Sequence, residues 1–257
     1  MATDAPATTN AALDRANRAR AWYFLGTIEQ SERQWQAAAE AYRKAIEFAP
    51  TQSLLQIPLG VVLWQTGDKD GANATFTEAA KSNPNNPALL EALGKAHLQI
   101  KRPTDAIPYF EKAARLAPET PRYARAHALA HQKAGDLAEA ASLYRKIIES
   151  HPQELGATNN LAWLLATAPD DSLRDGATAL SLATAVVKAS GDQDPATLDT
   201  LAAAQAETGA YKNAIATITQ AIQLARASGR RELVKMLEER KRCYASGEPF
   251  RADPESL

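Results

Sequence analysis

The sequence predicts an all-α protein built as a row of stacked helix pairs. Three observations carry this. Alanine is abundant, whereas the 12 Gly and 14 Pro are spaced like punctuation between helices. A small residue recurs every 34 positions, at Gly26, Gly60, Gly94, Ala128 and Ala162. In the first four units an aromatic ring follows it 16 residues later, at Tyr42, Phe76, Phe110 and Tyr144. A pair of amphipathic helices cannot bury its apolar faces alone, so such a period means stacking.

The remaining repeat positions keep the same register. Leu25, Leu59, Leu93 and Leu161 precede the first small residue, with His127 as the exception. A second small residue follows at Ala38, Ala72, Ala106 and Ala140, and then come Ala45, Ala79, Ala113 and Ile147. Pro50, Pro84, Pro118 and Pro152 close the units, because proline lacks an N–H and disfavours helical geometry in the residue before it. The small residue lets two helices approach closely, and the ring is expected to fill the gap to the next unit.

Units therefore run over 19–52, 53–86, 87–120 and 121–154. A fifth, 155–194, carries a longer turn around Asp170, Asp171 and Asp175, and a sixth, 195–228, has no closing proline. Residues 1–18 read as a linker followed by an extension of the first helix, and 229–257 as a capping helix with a tail. In the cap, apolar Leu233, Val234 and Leu237 stand at helical spacing among charges. Two prolines disturb the pattern. Pro58 is expected to kink or shorten its helix, and Pro108 to be tolerated near a helix start capped by Thr104.

Composition removes several function classes. With 29 Lys+Arg against 30 Asp+Glu there is no bulk field to gather nucleic acid or an anionic membrane. One cysteine, Cys243, allows neither an intrachain disulfide nor a four-cysteine zinc site. No apolar run approaches the ~20 residues that span a bilayer, and the first ten residues have no signal-peptide character. A cytoplasmic chain is the default expectation, or a periplasmic one if it is part of a longer protein.

Trp22-Tyr23-Phe24-Leu25-Gly26, the Ala-x3-ring pairs and the closing prolines resemble the tetratricopeptide repeat (TPR) family. The resemblance implies a right-handed α-solenoid of about six helix-turn-helix repeats and a non-catalytic scaffold. That scaffold would hold a protein or peptide segment in its concave groove. The C-terminal units, from Asn159-Asn160-Leu161-Ala162-Trp163 to Pro249-Phe250-Arg251, look like the closing module of bacterial TPR proteins. That module also forms tails of membrane glycosyltransferase-like proteins, so a regulatory or substrate-docking tail of such an enzyme is the alternative. Self-assembly through the terminal units is a third reading.

In this family the groove is lined from the first helix of each unit. Carried over, it offers Tyr23 and Thr27; Ile57, Val61 and Trp64; Lys95 and Leu98; Arg122, Arg125, Leu129, Gln132 and Lys133; and Asn159 and Trp163. These imply a partner that lays apolar side chains near Val61 and Trp64 and carboxylates near Arg122 and Arg125. The competing reading has Ile57, Val61 and Trp64 packed against neighbouring helices and the basic residues merely solvated. The carboxylate clamp of chaperone-tail binders needs Lys and Asn where this chain has Tyr23/Thr27, Ile57/Val61, Glu91/Lys95 or Arg125/Leu129, and is not matched.

No metal or cofactor is expected. His97, His127 and His131 could approach one another, but they stand where Leu and ring residues pack in this family. Asp170, Asp171 and Asp175 lack the spacing and closing Glu of a calcium loop and serve better as turn formers, with Asp175 placed to cap a helix. No G-x-S-x-G, phosphate loop, H-E-x-x-H or Cys/His dyad is present, so no enzyme is expected.

Overall fold

The computed structural model describes residues 5–191 and 193–252. Among the described residues there are thirteen α-helices and no strand. The chain divides into two compact units, one ending at Tyr123 and the other starting at Ala124.

In the first unit the pairs are α1 (Ala5–Ser31) with α2 (Trp35–Phe48), α3 (Gln56–Thr66) with α4 (Lys69–Ser82), and α5 (Pro87–Gln99) with α6 (Pro103–Leu116). The start of α7 (Pro121–Ala134) closes it. In the second unit α8 (Leu137–Ser150) is followed by the pairs α9 (Leu155–Thr167) with α10 (Gly176–Ser190) and α11 (Pro195–Glu207) with α12 (Tyr211–Ala227), and then by α13 (Arg231–Ala245).

The 34-residue register is visible as packing. An added Cβ would lie 2.8 Å from the ring of Tyr42 at Gly26 and 2.6 Å from that of Phe110 at Gly94. Each ring thus closes first on the small residue of its own pair, rather than only on the gap to the next. Tyr42, Phe76, Phe110 and Tyr144 are all at most 1% exposed. Tyr42 and Phe76 share a core with Leu59, Val62, Leu93 and Ala96 from the following first helices. In the second unit Ala128, Tyr144, Leu161, Leu164 and Ala183 form the corresponding core.

The helix ends follow local chemistry. Asn86 caps α5 by accepting from the N–H groups of Ala88 (3.0 Å) and Leu89 (3.3 Å), and Pro87 takes the first helical position. Asp175 caps α10, accepting from Thr178 N at 3.0 Å and from its hydroxyl at 2.6 Å. The long turn before it holds a short 3-10 helix, Asp171–Leu173. Arg174 pins that turn by donating to the carbonyls of Ala168 (2.8 Å) and Pro169 (3.0 Å).

Both disturbing prolines are accommodated. A 3-10 turn, Ser53–Leu55, precedes α3, which has only 11 residues and holds Pro58 in its first turn, where an N–H would have no helical partner anyway. Thr104 does not cap α6. Arg102 stands at the cap without a side-chain bond, Pro103 begins the helix, and Pro108 lies inside it. At the N-terminus, Ala5–Asn10 continue α1 instead of forming a linker. Pro6 is tolerated in the first turn and the Ala-containing run after it favours helix. Residues 1–4 of the expected linker and 253–257 of the expected tail lie outside the described residues.

One turn position exposes a strain. The residue linking the helices of a pair has positive φ at Arg33 (60°), Gly67 (91°), Lys101 (59°) and Gly135 (88°), again 34 apart. A Cβ in this left-handed region is penalised by about 1–2 kcal/mol, partly offset by the entropy that glycine loses on folding. Arg33→Gly and Lys101→Gly are therefore each expected to stabilise the chain by about 0.5–1 kcal/mol. Chemical denaturation measures this, and a loss of stability in both would contradict the strain.

Candidate functional site

The first helices of each pair present the expected groove positions, and their environments differ sharply. In the first unit Tyr23 is half-buried, with its ring 5.8 Å from that of Tyr42. Thr27 is exposed, its hydroxyl donating to the Tyr23 carbonyl at 3.0 Å. Tyr42 donates to Gln30 Oε1 at 2.7 Å, which ties the second helix to this face.

Ile57 (8% exposed) and Val61 (3%) do not line an open surface. They belong to the core between successive pairs. Their burial follows from α3, which is apolar almost all round and buries seven of its 11 residues. Trp64, at the end of that helix, stays half-buried, with Lys69 Nζ 5.4 Å and the Arg102 guanidinium 4.9 Å from its ring centroid.

On α5, Lys95 is exposed and Leu98 half-buried. Lys95 Nζ lies 2.8 Å from Glu91, one turn earlier on the same helix. Arg122, exposed at the start of α7, reaches the other oxygen of Glu91 at 3.6 Å and covers the Tyr123 ring at 4.6 Å. One carboxylate thus sits between two cations, and this part of the face is less basic than a list of its Lys and Arg suggests.

In the second unit Arg125 pairs with Glu154 at 2.7 Å, Leu129 is half-buried and Lys133 is exposed. Gln132 is only 3% exposed and accepts the Tyr144 hydroxyl at 2.9 Å, so it is a core anchor rather than an open groove residue. Burial pushes the Tyr144 phenol above its ordinary range. Asn159 is half-buried, and its Oδ1 has no hydrogen-bond partner.

Trp163 is covered from within the chain. The Arg240 guanidinium of α13 lies 4.5 Å from its ring centroid and the Phe250 ring 6.0 Å away. Arg240 is 5% exposed and pairs with Asp199 of α11, itself 6% exposed. Burial pushes the Asp199 carboxyl up to about 6 against the opposing pull of Arg240. Farther along, Arg251 reaches Glu207 at 2.6 Å, and the Ala252 N–H donates to the Thr167 carbonyl at 3.0 Å. The cap helix and tail therefore occupy the faces of α9 and α11 with two arginines and a phenylalanine. The register alone could not show this. Its sequence signal was the joint presence of Trp163, Asp199, Glu207, Arg240 and Phe250-Arg251, whose pairing is non-local.

The histidines do not form a common centre. His97 is 5% exposed and lies between the rings of Phe76 (4.9 Å) and Tyr109 (5.3 Å), where burial lowers its pKa. The Nε2 atoms of His127 and His131 are 3.2 Å apart, and Nδ1 of His131 is 3.2 Å from Asp136. Among the described residues no three His, Cys, Asp or Glu side chains are placed to hold a metal ion. Cys243 is half-buried on α13.

Two family models match the chain. Residues 12–123 match a cytochrome c-type biogenesis protein H TPR domain, and residues 125–195 match a tetratricopeptide repeat. The chain belongs to the tetratricopeptide repeat family. The chain is 20% identical to the solved PilF protein of Pseudomonas aeruginosa, with a TM-score of 0.52 and a match covering 90% of this chain and 94% of that one. That likeness concerns the fold.

Two curated relatives share shorter stretches. Anaphase-promoting complex subunit 3 of Schizosaccharomyces pombe is 27% identical over 96 residues, 37% of this chain and 14% of that protein. Bacteriophage adsorption protein A of Escherichia coli is 31% identical over 101 residues, 39% of this chain and 10% of the other. The chain thus matches about a seventh or less of the length of these relatives. No helix among the described residues of this TPR chain is long and apolar enough to cross a membrane.

The buried Asp199–Arg240 pair carries a stability expectation. Removing one partner strands the other charge in the core, so Asp199→Ala and Arg240→Ala are each expected to cost about 3–5 kcal/mol. The double variant Asp199→Leu/Arg240→Met, which removes both charges, is expected to cost less than either. Urea denaturation of the three variants checks this, and additive losses would refute the coupling.

Proposed function

We propose that the chain is a non-catalytic interaction scaffold that holds an extended segment of a partner protein on the first-helix face of its first unit. The carrying observation is a contrast between first helices. The faces of α9 and α11 are filled by Arg240, Phe250 and Arg251, whereas Thr27, Lys95 and Arg122 of the first unit are exposed. Trp64 on α3 and Leu98 on α5 are half-buried.

The chemistry of the open face defines the segment. Trp64 and Leu98 offer apolar contact. Lys95 and Arg122 offer two cations against the single carboxylate of Glu91, which leaves an excess positive charge for an acidic group of the partner. Helices locked by buried rings keep the reorganisation cost of binding low. The family match supports this reading, since a TPR domain of a biogenesis protein corresponds to residues 12–123, the span that bears most of the open face.

The reading is tested by affinity capture with the wild-type chain and the Lys95→Glu/Arg122→Glu variant side by side, followed by mass spectrometry. Both substituted side chains are exposed, so the helical far-UV circular dichroism spectrum is expected to be retained, with some loss of thermal stability because Glu91 loses both its cations. A specific partner is expected to be retained by the wild type and to bind the variant at least about tenfold more weakly, as loss of two charge-assisted contacts implies. Equal retention by both proteins would overturn the placement of the site.

A further inference from the structure

The residues after α13 are held as a bound peptide is held. α13 closes with its own hydrogen bonds, from Gly247 N–H to the Tyr244 carbonyl at 3.1 Å and from Glu248 N–H to that of Cys243 at 3.0 Å. Leu237 (0% exposed) and Tyr244 (1%) anchor the helix in a core with Ile218 and Ala221. Pro249 to Ala252 then run without helix, as a strap across α9 and α11.

The strap makes one contact of each kind that reads a peptide. The Phe250 ring lies against Trp163 at 6.0 Å and the Arg240 guanidinium at 4.9 Å. Arg251 donates to Glu207 at 2.6 Å and to the Ala166 carbonyl at 3.3 Å. The Ala252 N–H donates to the Thr167 carbonyl at 3.0 Å, and the residue is fully buried.

The receiving surface has supports of its own. Glu207 is also paired with Arg174 at 3.1 Å, and Arg174 is pinned by the carbonyls of Ala168 and Pro169. Arg240 is fixed by Asp199. The strap, by contrast, rests on one half-buried ring, one half-exposed arginine and one backbone bond. Segments with so few anchors are the first parts of a fold to open.

We propose that the α9/α11 face is a peptide-binding site for an aromatic–arginine–small sequence, and that residues 249–252 are its internal ligand, displaced by an external segment of the same order. Trp163 and Arg240 select the aromatic ring, and Glu207 selects the arginine. Full burial at Ala252 excludes a large side chain there, and donation of its N–H excludes proline. This site takes a cationic segment, so it is separate from the first-unit site, which takes an acidic one. A segment held by three such contacts binds at about 100 μM, and a strap at an effective concentration of about 1 mM closes the site about ten to one.

The test uses the full chain. A labelled, C-terminally amidated peptide of residues 246–252 is titrated by fluorescence anisotropy into the wild type and into Phe250→Ala/Arg251→Glu. In that variant the strap loses its ring and meets Glu207 with a like charge, while circular dichroism reports the helical fold. The variant is expected to bind the peptide about tenfold more tightly than the wild type. A peptide with Phe and Arg exchanged is expected to bind at least about tenfold more weakly. Nuclear magnetic resonance of the ¹⁵N-labelled wild type needs no variant. There about 5 mM unlabelled peptide, several times the apparent Kd under competition from the strap, is expected to shift the Ala252 amide signal to that of a released strap. A folded variant that binds no more tightly than the wild type, equal binding of the exchanged peptide, or an Ala252 signal that stays in place would each overturn the proposal.

Discussion

The close approach of a ring to a small residue 16 positions earlier is the contact on which the rest of the molecule depends. Gly26 and Gly94 leave no room for a Cβ beneath Tyr42 and Phe110, and this lets two helices of a pair touch along their backbones. Once they touch, one side of the pair is a flat apolar surface that must be stacked. The same ring then enters the next interface, as Tyr42 does beside Leu59 and Val62. Pairing and stacking are thus coupled through a single side chain per repeat.

That coupling explains what becomes of the ends. At α13 the chain turns a charged helix onto its last pair and sends the tail back over α9. Arg240 loses its hydration, and Asp199, Trp163 and Phe250 replace it. A buried ion pair is an expensive way to close a surface and a specific one, because few other side chains would satisfy Asp199 at that position. At α1, Leu25 and Ile28 are exposed among the described residues, whereas their equivalents Leu59, Val62, Leu93 and Ala96 are buried between pairs.

Electrostatics on the first-helix face shows the limit of reading charges from a register. Lys95 and Arg122 look like a basic patch until Glu91 is seen between them, and Arg125 looks free until Glu154 is found 2.7 Å away. Each was expected on the first-helix face, but its partner lay on another turn or another helix. His97 gives the same lesson for metal chemistry. Its spacing to His131 matches the repeat, yet its ring is held between Phe76 and Tyr109 and serves as core.

The all-α class and the helix pairs were legible in the sequence, because each rests on local propensity or on a period of 34 that any single unit repeats; that each ring closes first on the small residue of its own pair was not. So was the Asp175 cap, whose donor is three residues away. Features that depend on which surfaces meet were decided only by the tertiary structure. Ile57 and Val61 are buried because α3 is wrapped on both sides, Gln132 is consumed by Tyr144, and Trp163 is covered by residues 77 and 87 positions farther along the chain. A periodic pattern records what every repeat must do to stack. It carries no record of a contact made once, by one arginine and one tail, across that distance in sequence.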